Sequence, residues 1–459
     1  MEWNRMNQSE TNLLAPVKPV GLLVVGRKRP GFDQEWNARM VKGAQSAFAE
    51  MGLKTAGADA ACPDDKSVMA AIEKMKSAGC QTMVILQPSL GAGQLAFTVM
   101  QHWDKPVVLW VTPERAESPI VSSCSLVAQH LWASLFRNSS RAFEFVIGDP
   151  GDAKVREELR RAIQITQVPG ELKNTKIGLI GSNAPGFISM VADPFLIQKE
   201  LGAQLASLSL PMFMDRVQKI EEGRVTEDVK IVKSWGWSMR DVTADDLPLA
   251  SRIYLALKDL MVEEELQAVA MQCWPEMGNM MGQWPYMALT RLLSEGVINS
   301  MEGDVDGAIT CLFGKLLNAG VGFITDWLEH DQSTIHFWHP GVAPLPMTEK
   351  PVMAKHFNIT KPMVVDGPLK VDMPVTIARL WRTDGKYHLT AFEGKTITPR
   401  RNLTGNTALV TPNNGMDVAK WFNEALHAGL PHHVIMFAGN YAENFRRLAR
   451  VMKINWFTN

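Results

Sequence analysis

The chain has 459 residues, 46% of them apolar and 21% charged, and its 47 basic and 48 acidic side chains leave a net charge of -1. This composition excludes a short peptide module, a disordered tract and a collagen-like or coiled-coil rod, and the length has room for about three domains of roughly 150 residues. It also lacks the basic excess that nucleic-acid binding leaves in a sequence. Five cysteines (Cys62, Cys80, Cys124, Cys273 and Cys311) stand singly. Without a CxxC pair they point away from a disulfide framework or a thiolate zinc site and toward a reducing cytoplasm. The polar segment Met1–Leu14 lacks the apolar core of a signal peptide, and no run of about 18 apolar residues occurs. The expectation is a cytoplasmic protein with neither nucleic acid nor membrane as a partner.

In chain order, Val20–Val25, Met83–Leu86 and Val107–Val111 are short apolar runs without alternation, the pattern of strands buried on both faces of a parallel sheet. Helix-period stretches at Asn37–Met51 and Lys66–Ala78 lie between them, so the alternation reads as βαβ. A second cycle starts at Lys176 and continues through Gln267–Gln272 and Val321–Ile324. Gly148–Gly170 reads as the boundary between the two cycles. After His339 the texture becomes proline-rich, and Val371–Arg382 and Lys386–Phe392 read as strands joined by an Asp384-Gly385 hairpin turn. A helix is expected near Asp417–Ala428. The fold class that follows is α/β, with two doubly wound parallel-sheet domains (1–165 and 166–345) and a smaller, mainly β C-terminal domain (346–459).

Ile177–Phe187 places Gly178, Gly181 and Gly186 after a strand, but not in the G-x-G-x-x-G spacing that lets backbone approach a pyrophosphate. A strand-to-loop turn is the better reading, and a nucleotide-dependent oxidoreductase is disfavoured. Glu302–Gly307 starts like a calcium loop, yet its twelfth position is Phe313 where a bidentate glutamate is needed. Asp304 reads equally well as the cap of the apolar helix that follows. Glu302 at one strand-to-helix junction and Asp326 after Val321–Ile324 stand where open α/β sheets place their ligands; the alternative is two solvated loop acids. Glu276 is a third acid in an analogous place. His330, His336 and His339 follow closely, and His432-His433 opens a β-rich run. Carboxylates with histidine make an oxygen and nitrogen set suited to a hard or borderline divalent ion such as Mn²⁺.

The segments MEGDVDGA (301–308), FITD (323–326), FWHPG (337–341) and GLPHHV (429–434), together with VGRKRPGFD (25–33), follow the order of the L-fucose/L-arabinose isomerase family, which the chain resembles over roughly residues 20–455. The resemblance implies a metal-dependent aldose-ketose isomerase working through an enediolate, with Glu302, Asp326 and His433 holding a divalent metal, commonly Mn²⁺. Glu302 and Asp326 would also be its acid/base pair. His339 matches a histidine of the arabinose branch and Arg29 a substrate-contacting arginine delivered from a neighbouring subunit. The resemblance further implies a homo-oligomer, a hexamer in the family. The aspartate of FITD follows the fucose branch, whereas MEGD and the double histidine are closer to the arabinose branch. The substrate is accordingly a monosaccharide drawn from pentoses, deoxyhexoses or sulfonated hexoses such as sulfoquinovose. The alternative reading is a non-catalytic sugar-binding or regulatory protein of the same fold.

Overall fold

The computed structural model describes residues 18–26, 32–58 and 60–458. Contacts divide the chain into two units, one up to Glu171 together with Arg450–Lys453, the other Leu172–Ala449 together with the C-terminal segment from Ile454. In the first unit the strands are β1 (Val20–Val24), β2 (Thr55–Gly57), β3 (Met83–Leu86), β4 (Val107–Val111) and β5 (Phe143–Ile147). They form one parallel sheet in the order β2-β1-β3-β4-β5. Every residue of β1, β3 and β4 is buried. Leu23, Ile85 and Leu109 pack into one apolar cluster, and Leu22, Val24, Leu86 and Val108 into another. Alternate residues thus serve the two faces, which explains why these strands carry no polar positions. The helices fall at Gln34–Glu50 and Asp65–Ser77, capped by the Asp33 and Asp64 side chains.

The stretch 148–170 is largely occupied by helix Ala153–Leu172, which includes Pro169. In the second unit β6 (Lys176–Ile180), β7 (Gln204–Leu208), β9 (Ala268–Met271) and β10 (Ile298–Ser300) make a parallel sheet ordered β10-β9-β6-β7, while β8 (Ser238–Arg240) lies outside it. The remaining strands are β11 (Phe323–His330), β12 (Ile335–His339), β13 (Val352–Ala354), β14 (Val364–Asp366), β15 (Pro374–Thr383), β16 (Lys386–Ile397), β17 (Asn406–Pro412), β18 (His433–Ala438) and β19 (Asn455–Trp456). Seven of them form a largely antiparallel sheet, β15-β18-β11-β12-β17-β16-β19, and a further β15–β16 pairing curls it like a barrel. The hairpin turn falls at Asp384-Gly385, both at positive φ, between paired Thr383 and Lys386.

One expectation is corrected. Val321–Ile324 is not a parallel strand ending before Asp326. Strand β11 runs through Asp326 and pairs antiparallel with both β12 and β18. A four-residue apolar run carries no information about strand direction, and its partners here lie on either side in an antiparallel sheet. Asp326 is therefore fixed by sheet register rather than by a loop at a strand end.

Candidate metal and proton-transfer site

Glu302 is carried by the turn between β10 and the helix Val305–Leu316. Its backbone is left-handed, φ 58°, a conformation that a non-glycine residue adopts at a cost of about 1–3 kcal/mol. The surroundings hold it there. Its carbonyl accepts the Ala184 N–H at 2.8 Å, its own N–H lies 3.4 Å from the Cys273 sulfur, and the next N–H, of Gly303, reaches the Met271 carbonyl at 2.9 Å. Gly303 (φ 72°) is required, because a Cβ there would come within 2.2 Å of the Ser182 carbonyl oxygen. The turn is thus pinned against the loops that follow β6 and β9, at the carboxyl edge of the parallel sheet, and Glu302 is 8% exposed.

Asp326 and His433 are direct cross-strand partners in β11 and β18, so both side chains stand on one face of the sheet. His433 is fully buried. Its Nε2 lies 3.1 Å from a Glu302 oxygen and 3.7 Å from an Asp326 oxygen, while Nδ1 lies 3.0 Å from Asp304 Oδ2. Asp304 in turn is clamped by both Nη atoms of Arg379, at 2.5 and 3.0 Å, and caps the helix by accepting the Gly307 N–H at 2.9 Å. With Arg379 holding Asp304 ionised, Nδ1 of His433 is the donor of that bond and Nε2 faces the two carboxylates. A carboxylate that orients a ligand histidine through its far nitrogen is a recurring support of metal sites.

Several polar atoms here have no hydrogen-bond partner among the described residues although they are buried: His433 Nε2, Asp326 Oδ1 and His339 Nδ1. Ligand atoms of Glu302, His339 and His433 all lie within 4.8 Å of one another, as do those of Asp326, His432 and His433. Buried carboxylate oxygens and imidazole nitrogens converging on one place fit a cation, which would take the place of the proton on His433 Nε2. The donor set is oxygen and nitrogen; the adjacent Cys273 is pushed by burial up to about 12 and stays a thiol. Burial pushes Asp326 up to about 6, with His433 opposing and Glu302 adding to the rise. Burial would also raise Glu302, but the neighbouring His433 outweighs it and holds that carboxyl below its ordinary range. Asp304 is held far lower, burial being overcome by Arg379 and His433. His339 and His432 are driven down to about 3 and about 4, chiefly by burial, and are neutral imidazoles.

Glu302, Asp326, His339 and His432 line a cavity of about 160 Å³ walled by Phe187, Trp274, Trp338 and Phe357. Phe187 and Trp274 stack at 6.3 Å, and Phe357 meets Trp338 edge-on at 5.0 Å. An apolar wall facing carboxylates and imidazoles suits a molecule with both C–H faces and hydroxyls.

The residues expected from sequence divide accordingly. Glu302, Asp326, His433 and His339 come together. Arg29 lies outside the described residues. Glu276 is not among the residues lining the cavity, and His330 and His336 are engaged elsewhere, with Trp327 and Glu329. Asp304 does cap its helix, but its larger part, linking Arg379 to His433, was not visible in sequence. The available signal was Arg379 itself: an arginine embedded in the apolar strand TIARLW demands a buried carboxylate.

No protein-family model matches the chain. Among curated proteins it is similar to the sulfoquinovose isomerases of Priestia aryabhattai and Priestia megaterium, each 24% identical over 392 residues, covering 83% of this chain and 86% of theirs. It is also similar to the sulfoquinovose isomerase of Alkalicoccus urumqiensis, 22% identical over 370 residues, 79% of this chain and 82% of that one. Among solved structures, a two-component response regulator/GGDEF domain protein aligns at 10% identity over 65% of this chain and 98% of that one, with a TM-score of 0.22 that carries no argument. No helix among the described residues is long and apolar enough to cross a membrane.

Proposed function

We propose that the chain is a metal-dependent aldose-ketose isomerase whose substrate is a sulfonated aldohexose such as sulfoquinovose. The isomerase class rests on likeness to three sulfoquinovose isomerases over about four fifths of the chain. The observation that carries the chemistry is that Glu302 and Asp326, from different sheets, both lean on Nε2 of one buried histidine. Glu302, Asp326 and His433 would hold a divalent ion, most simply Mn²⁺, with His339 or His432 as a further donor. When bound, such an ion supplies Lewis-acid polarisation of the sugar carbonyl and offsets developing negative charge.

Aldose-to-ketose conversion removes a proton from C2, returns it to C1 and moves another between O1 and O2. Two carboxylates on one side of an aromatic-walled cavity provide for both transfers: one takes and returns the carbon-bound proton, the other serves the oxygens. The Phe187–Trp274 pair and Trp338 give the sugar's C–H face an apolar surface and exclude water from the enediolate. His433, held by Asp304 and Arg379, keeps the carboxylates at fixed distance from one another. The non-catalytic sugar-binding reading is not favoured, because binding alone has no use for two carboxylates crowded on one imidazole.

Homo-oligomerisation, with Arg29 of a neighbouring chain reaching the substrate, belongs to the same proposal. Mixing Arg29→Ala with Asp326→Asn subunits should restore part of the activity if the site is shared; verified mixed oligomers that recover nothing would remove that element. The reading as a whole is tested by following sulfoquinovose by NMR in the presence of Mn²⁺: appearance of the corresponding ketose supports it, and an unchanged aldose spectrum with metal bound refutes it.

A further inference from the structure

His356 lies in the loop after β13, is 3% exposed, and lines the same cavity as Glu302 and Asp326. The loop closes on itself, with the His356 N–H donating to the Lys361 carbonyl at 3.0 Å. The ring is packed among three tilted aromatic rings: Trp284 lies 4.9 Å away, Phe357 4.6 Å and Tyr286 5.9 Å. Trp284 is itself fixed, because its indole N–H donates to the Ile359 carbonyl at 3.3 Å and a side chain at Gly278 would collide with its ring at 2.4 Å.

The tautomer is set by the backbone. Nδ1 accepts the Asn358 N–H at 3.2 Å, so in the neutral ring the proton resides on Nε2. None of the described residues accepts from Nε2. With three aromatic rings packed around it and Nδ1 engaged, His356 has its Nε2 edge left to serve the cavity that it lines. We propose that His356 is a substrate-binding residue that donates from Nε2 to a hydroxyl oxygen of the bound sugar, and so fixes the sugar's orientation above the two carboxylates. This rests on the isomerase reading. A hydroxyl rather than the sulfonate is the fitting acceptor, because the ring is a neutral donor and it lies in a cavity already shared with two carboxylates. Among the described residues no lysine or arginine lines the cavity beside it.

The test compares wild type, His356→Phe and His356→Gln, all loaded with Mn²⁺, by calorimetric affinity for sulfoquinovose, by NMR turnover and by metal content. Phenylalanine keeps the ring packing but removes the donor; it should weaken sugar affinity and kcat/KM by about 10- to 100-fold, the range expected when a buried polar partner goes unmet. Metal content should not change. Glutamine, which can place an N–H near the Nε2 position, should recover most of the loss. Wild type should also discriminate by a similar factor against one monodeoxy analogue, a difference that disappears in His356→Phe. The inference is overturned by a phenylalanine variant within twofold of wild type, by loss of metal from that variant, or, should it not fold, by a wild type indifferent to every monodeoxy analogue. A wild type that binds the sugar without converting it would break the isomerase reading while leaving the affinity comparison legible. Absence of sugar binding would overturn both.

Discussion

Glu302 and the Asp326–His433 pair arrive in one cavity by different constructions. Glu302 comes from a turn of two left-handed residues, Glu302 and Gly303, at the carboxyl edge of a parallel sheet, its backbone braced by contacts to Ala184, Cys273 and Met271. Asp326 comes from the middle of β11 and His433 from the first position of β18, and antiparallel pairing sets them opposite each other. A strained turn can be displaced by changing one residue. A register position moves only if the whole strand slips, which would carry every apolar side chain of β11 to the wrong face. Asp304 joins the two constructions, since it caps the helix behind the Glu302 turn and also holds His433.

The largest expected effect comes from removing either carboxylate's charge. Glu302→Gln and Asp326→Asn should each lose about 10²- to 10⁴-fold in kcat while keeping the fold, as read by circular dichroism. Near-wild-type turnover in either variant would remove that residue from the proton-transfer site. Cutting the joint itself should act on metal binding: Asp304→Asn should weaken Mn²⁺ affinity by about 10- to 100-fold in calorimetry on the folded fraction. Unchanged affinity would mean that Asp304 serves only its helix and Arg379.

Breaking the strained turn should be felt first in stability. Gly303→Ala puts a Cβ at φ 72° and 2.2 Å from a carbonyl oxygen, and should cost at least about 1 kcal/mol in urea unfolding. An equally stable variant would show that the turn is looser than its contacts imply. The smallest effect is expected in the first unit. Glu114 accepts hydrogen bonds from Ser122, Ser123 and the Cys124 N–H; these outweigh the opposing effect of burial and bring its carboxyl from 4.5 down to about 2. A carboxyl lowered in the folded state contributes stability that is complete above pH 4.5 and is lost as pH falls toward 2. The difference in urea midpoint between wild type and Glu114→Gln should therefore narrow across that interval; a constant difference would detach it from ionisation.

What could be read from sequence follows the same division. The apolar runs of β1, β3 and β4 and the Asp384-Gly385 turn carry local signals, and Glu302 could be singled out because a strand-to-helix junction is a local feature. Asp326 is picked out by sequence only through a strand geometry that the fold does not have, because direction and register depend on partners more than a hundred residues away in β18. Arg379 and His356 gave still less: one acts through a carboxylate 75 residues earlier, and the other sits in a loop without periodicity, its tautomer decided by a single backbone N–H.

The central claim is that Glu302, Asp326 and His433 form one metal-dependent proton-transfer site. The most direct measurement is exchange of the C2 hydrogen of sulfoquinovose with solvent deuterium, followed by NMR for wild type with Mn²⁺, wild type after exhaustive chelation, and metal-loaded Asp326→Asn. The account predicts exchange in the first and almost none in the other two, with activity returning to the chelated protein when Mn²⁺ is restored. Undiminished exchange in protein shown by elemental analysis to be metal-free would contradict it.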